Sequence, residues 1–320
     1  MMIALWIVLG LLVLTFLFYV LPFAIIADKQ LRHLFIRTSP QKWNRTINFP
    51  DDPEYVGIVK GGEAWAEKYK DSMNDVSIVN DSLHLAAQYY DFGNDKAVIL
   101  IPGRTEGCTY SCYFAEPFRK AGYNVLAIDN RSHGHSEGKC NCLGLKEYRD
   151  ILAWGAFLHD KCSIKSVVCH GICIGSATAL YAFTSGDCPE YFTAMVADGM
   201  YTTFRESFKQ HLIQDHRPVF PFINIFFFLY RIRTGVNASK NGPVYCIDRM
   251  TRPILFIHSR EDVFSLPQNA QMMYEKCPSK SKKIVFFDKG RHSFVRINNT
   301  EQYDAAVIDF LNSAIQLLEL

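Results

Sequence analysis

Apolar and polar positions alternate along most of the chain in blocks that switch between a period of two and a period of about 3.6. VSIVN and LHLAAQYYD meet at the turn-rich NDS and predict a β-hairpin. KAVILIPG is a short continuous apolar run ending in Pro-Gly, the pattern of a buried parallel strand. YFAEPFRKAG then predicts a short helix with a glycine stop, and YNVLAIDNRS the next strand. The alternation continues through LKEYRDILAWGAFLHDK (helix), SVVCHGI (strand), GSATALYAFTS (helix) and FTAMVADGM (strand). PILFIHSRED, QNAQMMYEKC, KKIVFFDKG and EQYDAAVIDFLNSAIQLLEL repeat strand, helix, strand, helix. Repeated β-α units imply an α/β fold: a mostly parallel central sheet with helices on both faces.

Two stretches depart from this rhythm. Residues 201–250 form a phenylalanine-dense insertion between two strands. It is expected to be a helical cap that covers a site or touches a membrane, or an excursion whose aromatics pack on the core. Residues 3–27 are uncharged and overwhelmingly apolar, longer than the roughly 20 residues that cross a bilayer. No Lys or Arg precedes the run, which favours an anchoring helix over a cleaved signal peptide. The expected division is a transmembrane anchor at 1–27, a basic juxtamembrane segment and linker at 28–75 with a short helix in EAWAEKYKDSM, and a catalytic domain at 76–320.

Charge adds orientation. The 34 basic and 32 acidic residues nearly cancel, so no global charge points to nucleic acid. Residues 28–45, however, hold Lys29, Arg32, Arg37, Lys42 and Arg45 against Asp28 alone, which places the domain on the cytoplasmic side. Ten cysteines fit a reducing compartment, and the pairs Cys140/Cys142 and Cys108/Cys112 lack a second pair at zinc spacing. Neither a metal nor an organic cofactor is expected. The N-x-S/T triplets at Asn44, Asn80, Asn237 and Asn298 carry no meaning in a cytoplasmic domain.

The candidate chemistry lies in HGICIGSAT. Gly171, Cys173 and Gly175 have the spacing of a tight strand-to-helix turn that exposes a nucleophile, with small neighbours where the turn packs closely. Such a turn sets Cys173 at a helix N-terminus, which favours the thiolate. Asp262 ends the strand PILFIHSRED, and His292 follows KKIVFF in DKGRHSF. Both lie past strand C-terminal ends, where open α/β sheets place ligands. These positions suit Cys173 as nucleophile, His292 as general base and then acid, and Asp262 as the carboxylate that orients the imidazole. The oxyanion is expected to meet the backbone N–H of Ile174 and that of Arg104 in IPGRTEG, with Thr105 as the alternative second donor. The Arg104 guanidinium either holds a substrate anion or stays solvated.

These motifs, together with DNRSHGHSEG at 129–138, IPG and ADGMYTTF, make residues 76–318 resemble α/β-hydrolase fold proteins, in particular membrane-anchored bacterial members near the serine aminopeptidase and prolyl oligopeptidase groups. The resemblance implies that His133 and His135 belong to a structural turn. Those relatives usually carry serine where this chain has Cys173. In that respect the chain is similar to dienelactone hydrolases, bile-acid acyl-CoA amino acid acyltransferases and polyhydroxyalkanoate synthases. A thiolate suits activated acyl groups, so the expected activity is hydrolysis of an ester, lactone or thioester, with an amphipathic or lipid-like acyl compound as substrate. The rival readings are an acyltransferase with the same three residues and an idle binding scaffold.

Overall fold

The computed structural model describes residues 2–316. Eight strands form one sheet in the order β1-β2-β4-β3-β5-β6-β7-β8. They are β1 (Met73–Asn80), β2 (Leu83–Tyr90), β3 (Lys96–Ile101), β4 (Asn124–Ile128), β5 (Ser166–Ile172), β6 (Phe192–Asp198), β7 (Ile254–Ser259) and β8 (Lys282–Phe287). β1 and β2 form the expected hairpin. Its tight turn uses Asp81 and Ser82, both at positive φ (50° and 61°), the twist that matches two paired strands. β2 runs antiparallel to β4, and β3 to β8 are parallel.

The parallel strands are apolar throughout because both of their faces are covered. On β3, Val98 and Leu100 join one core while Ala97, Ile99 and Ile101 join the other. β4 divides Val125 and Ala127 from Leu126 and Ile128 in the same way, the two-residue alternation of a pleated strand. The first core is closed by the helices Pro53–Lys68 and Thr300–Gln316, the second by Tyr148–Cys162, Ile174–Phe183 and Pro267–Lys276.

The helix Pro53–Lys68 begins ten residues before the short linker helix expected from EAWAEKYKDSM. Asp52 caps it by accepting from Tyr55 N (3.2 Å), with Pro53 in its first turn. Its middle carries Gly61 and Gly62, which disguise a helix in sequence. Gly62 is needed for contact: a Cβ there would lie 2.0 Å from Thr109 O. Tyr55, Ile58, Val59 and Trp65 are buried, so this segment is part of the core.

At the N-terminus a helix runs from Met2 to Phe35, α-helical except for a π-helical stretch at Phe16–Val20, and is long and apolar enough to cross a membrane. Thirty-four residues measure about 51 Å, longer than a hydrocarbon layer of about 30 Å. In its last turns Ala27, Leu31 and Phe35, four residues apart on one face, are fully buried against the insertion. Phe35 meets Phe204 and Tyr230 edge to face (5.3 and 5.1 Å between centroids). Asp28 is bound by Arg32 (2.9 Å) and by Arg233. The insertion folds as the helices Phe204–Gln214 and Phe222–Thr234, and its phenylalanines form a third apolar cluster over Ile174 and Ala177.

Candidate active site

The turn after β5 is built around backbone proximity. Cys173 adopts φ 53° and ψ −111°, an unfavourable conformation for a residue with a side chain. A Cβ on Gly171 would stand 2.3 Å from Gly175 C, and one on Gly175 would stand 2.2 Å from Ile101 O. Ser176 locks the turn by donating to Gly171 O (2.6 Å) and Asp198 O (3.0 Å), while Cys173 N donates to Asp198 O (2.8 Å). Gly175→Ala is therefore expected to cost about 1–3 kcal/mol through forced displacement of the β3 carbonyl. A thermal melt of the full chain in detergent should show a lower midpoint; an unchanged midpoint would mean that the turn relaxes freely.

Asp262 and His292 lie side by side: His292 Nδ1 donates to Asp262 Oδ2 (2.6 Å). Asp262 is aimed by the chain that follows it, since Oδ1 accepts from Phe264 N (2.9 Å) and Ser265 N (2.7 Å). Burial pushes the Asp262 carboxyl up, but the His292 charge and hydrogen bond, with the two amides, hold it below the usual value. Burial likewise opposes the His292 imidazolium, and the charges of Asp262 and Cys173 overcome it, raising its pKa well above that of an ordinary histidine.

Cys173 and His292 line the same cavity of about 430 Å³, which falls within the size of ordinary ligand sites. Its walls come from the loop after β3, from Phe204, Phe208 and His211 of the insertion, and from Gln30 and Leu34 near the end of the N-terminal helix. The Ile174 and Arg104 N–H groups have no protein acceptor among the described residues. Thr105, the alternative second donor, is excluded because its N–H is taken by Glu106 Oε2 (3.1 Å).

Several site residues had no sequence signal. His258 Nε2 donates to Ser265 O and lies 3.6 Å from Asp262 Oδ2; burial lowers its pKa, so it stays neutral and leaves the Asp262 charge to His292. Ser265 Oγ ties the acid loop to Met200 O (3.0 Å). His211 stacks on Phe264 (3.6 Å between centroids), and Phe264 in turn meets the His292 ring edge-on. Burial drives the His211 pKa down to about 4, so near neutrality it is an uncharged wall.

The turn at 129–138 is structural. Asp129 accepts from Arg45 Nε, Cys108 N and His135 N, all at 2.9 Å. His133 is buried between Arg104 O (2.6 Å) and Arg131 O (3.0 Å) and stacks on Trp43, so it holds the loop that carries Arg104. All ten cysteines are free thiols, and burial pushes Cys108 and Cys112 well above the ordinary thiol range, which makes them inert.

A family model described as alpha/beta hydrolase fold matches residues 96–219. The Bacillus subtilis protein YqkD, described as uncharacterized, is 28% identical over 220 residues, covering 68% of this chain and 72% of its own. The Saccharomyces cerevisiae protein YNL320W, described as an uncharacterized membrane protein, is 23% identical over 232 residues, covering 71% of this chain and 76% of its own. The solved esterase Pf2001 of Pyrococcus furiosus superposes with a TM-score of 0.66 at 23% identity, over 78% of this chain and 93% of that one. The matched model spans β3 to β6 and the turn at Cys173, and the esterase follows the sheet beyond them: the chain has the α/β-hydrolase fold.

Proposed function

We propose that the protein is a hydrolase of esters, lactones or thioesters, anchored by its N-terminal helix and acting through Cys173, His292 and Asp262. The observation that carries this reading is the Asp262–His292 hydrogen bond of 2.6 Å in a cavity that the Cys173 thiol also lines. With the thiol proton already held on His292, the Cys173 thiolate attacks the acyl carbon, while Ile174 N–H and Arg104 N–H stabilise the negative charge on oxygen. Collapse of the tetrahedral species breaks the bond to the leaving alcohol or thiol, which takes its proton from His292. Water, deprotonated by His292, then cleaves the thioester and restores the thiol. Asp262 keeps the imidazole in the tautomer that serves both directions.

The membrane reading rests on the helix Met2–Phe35, and the cytoplasmic orientation on the basic flank from Lys29 to Arg45. In the folded chain Arg45 pairs with Asp129, and Lys42 donates to the end carbonyls Arg32 O and Ile36 O. The charge rule acts on the chain during insertion, before these partners form.

The test is turnover of p-nitrophenyl esters and acyl thioesters by the full chain in detergent or nanodiscs, with and without amines. Release of free acid supports a hydrolase; acyl transfer to the amine at the expense of acid would move the reading to a transferase. Because Phe204, Phe208 and Leu34 line the cavity, kcat/KM is expected to rise about four-fold per methylene at about 0.8 kcal/mol each until the pocket is full. A rate that rises as chains shorten contradicts an acyl chain lodged there.

A further inference from the structure

Three arginines line the cavity, and they differ in what balances them. Arg291 is held by Asp52 (2.6 Å) and Glu54 (2.8 Å), and Arg217 lies 3.5 Å from Asp215. Arg104 has no carboxylate within 4 Å among the described residues. Its one protein acceptor there is Leu34 O (3.0 Å), near the end of the N-terminal helix, and its guanidinium lies over the Phe35 ring at 5.7 Å. The carboxylate of Glu106, two residues on, is turned to Thr105, accepting from its N–H (3.1 Å) and its hydroxyl (2.6 Å). Glu106 and Cys173 pull on the Arg104 guanidinium only from a distance. An enclosed cation with no carboxylate in contact is costly, and guanidinium presents a planar fork that matches carboxylate or phosphate. The backbone of the same residue belongs to the loop assigned to the oxyanion. A group bound by the side chain is therefore within one arginine length of the reacting carbonyl.

We infer that the Arg104 guanidinium is a specificity site for an anionic group, carboxylate or phosphate, carried by the substrate a few bonds from its acyl carbonyl. The inference rests on the acyl-enzyme reading above and adds the substrate's charge. The acyl chain lies against Phe204, Phe208 and Leu34, and the anion completes the guanidinium that one backbone carbonyl leaves unbalanced. Because that carbonyl belongs to the N-terminal helix, the site sits where the helix joins the hydrolase body, reachable by a soluble thioester or by a lipid with a phosphate headgroup.

Two matched pairs separate these sources. The soluble pair is S-octanoyl mercaptoacetate against S-octanoyl mercaptoacetamide; the bilayer pair is oleoyl lysophosphatidate against mono-oleoylglycerol in nanodiscs holding the full chain. The readout is the ratio of kcat/KM within a pair, in which any general damage cancels. Wild type is expected to favour the anionic member about ten-fold or more in one pair, and the pair that shows it names the source. Arg104→Gln, which retains a donor for Leu34 O, should bring that ratio near one, and Arg104→Lys should keep part of it. A wild-type ratio near one in both pairs, or a preference unchanged in Arg104→Gln, overturns the inference while leaving the nucleophile intact. The wild-type ratios decide even where a variant does not fold. No turnover of any of the four compounds and no adduct on Cys173 contradicts the acyl-enzyme reading and this inference with it.

Discussion

Cys173→Ala is expected to lower kcat/KM on acyl thioesters by about 10⁴-fold or more, to the residual level that substrate binding and oxyanion donors supply without a nucleophile. Alanine fits the φ 53° turn no worse than cysteine, and the bonds that hold the turn run through the Cys173 backbone and Ser176. The fold should survive, so the loss would report chemistry. Cys173→Ser should fall between wild type and alanine, because a hydroxyl gives up its proton less readily than a thiol. Steady-state kinetics with a melting curve for each variant checks this; an alanine variant within ten-fold of wild type would remove the thiol from the mechanism.

The second large effect is expected at Asp262. Asp262→Asn keeps the shape of the side chain but removes the charge that offsets burial of the His292 imidazolium, and a comparable change in a known catalytic triad costs about 10⁴ in kcat. It also alters stability with pH in a defined direction. The raised pKa of His292 contributes stability that is complete below about pH 6.5 and is lost as pH rises through its elevated value. The lowered pKa of Asp262 contributes stability present above about pH 3.9 and lost as pH falls through its depressed value. The melting difference between wild type and Asp262→Asn should therefore be largest between about pH 4 and 6.5 and shrink on either side. A difference that grows steadily toward alkaline pH would mean that the pair is not held as a carboxylate and an imidazolium.

The strand and helix blocks were readable because parallel strands buried on both faces write continuous apolar runs, and the Gly-x-Cys-x-Gly spacing marks a turn in which only glycines fit beside Cys173. The helix Pro53–Lys68 was obscured by Gly61 and Gly62, which serve a close approach to Thr109 that no local pattern encodes. At Asp28 the apolar run breaks, so the sequence suggested an anchor ending at Ala27. The helix itself runs on to Phe35, because Ala27, Leu31 and Phe35 keep one apolar stripe and the charges between them face outward or pair. His211, His258 and Ser265 act through contacts set by the folded loops, and a lone histidine or serine in a sequence carries no sign of them. Arg104 was legible as a residue of the loop after β3; that its side chain lacks a contacting carboxylate emerges only once the other cavity arginines are seen paired.

In the proposed mechanism Cys173 carries the acyl group. The full chain, mixed briefly with an acyl thioester and quenched in acid, should show by peptide mass spectrometry a single acyl adduct on the peptide containing Cys173. The adduct should decay with turnover and be absent in Cys173→Ala. Turnover without that adduct at any quench time, or an adduct that persists on another cysteine in the alanine variant, would contradict the account; a folded chain with neither adduct nor turnover would favour a binding scaffold.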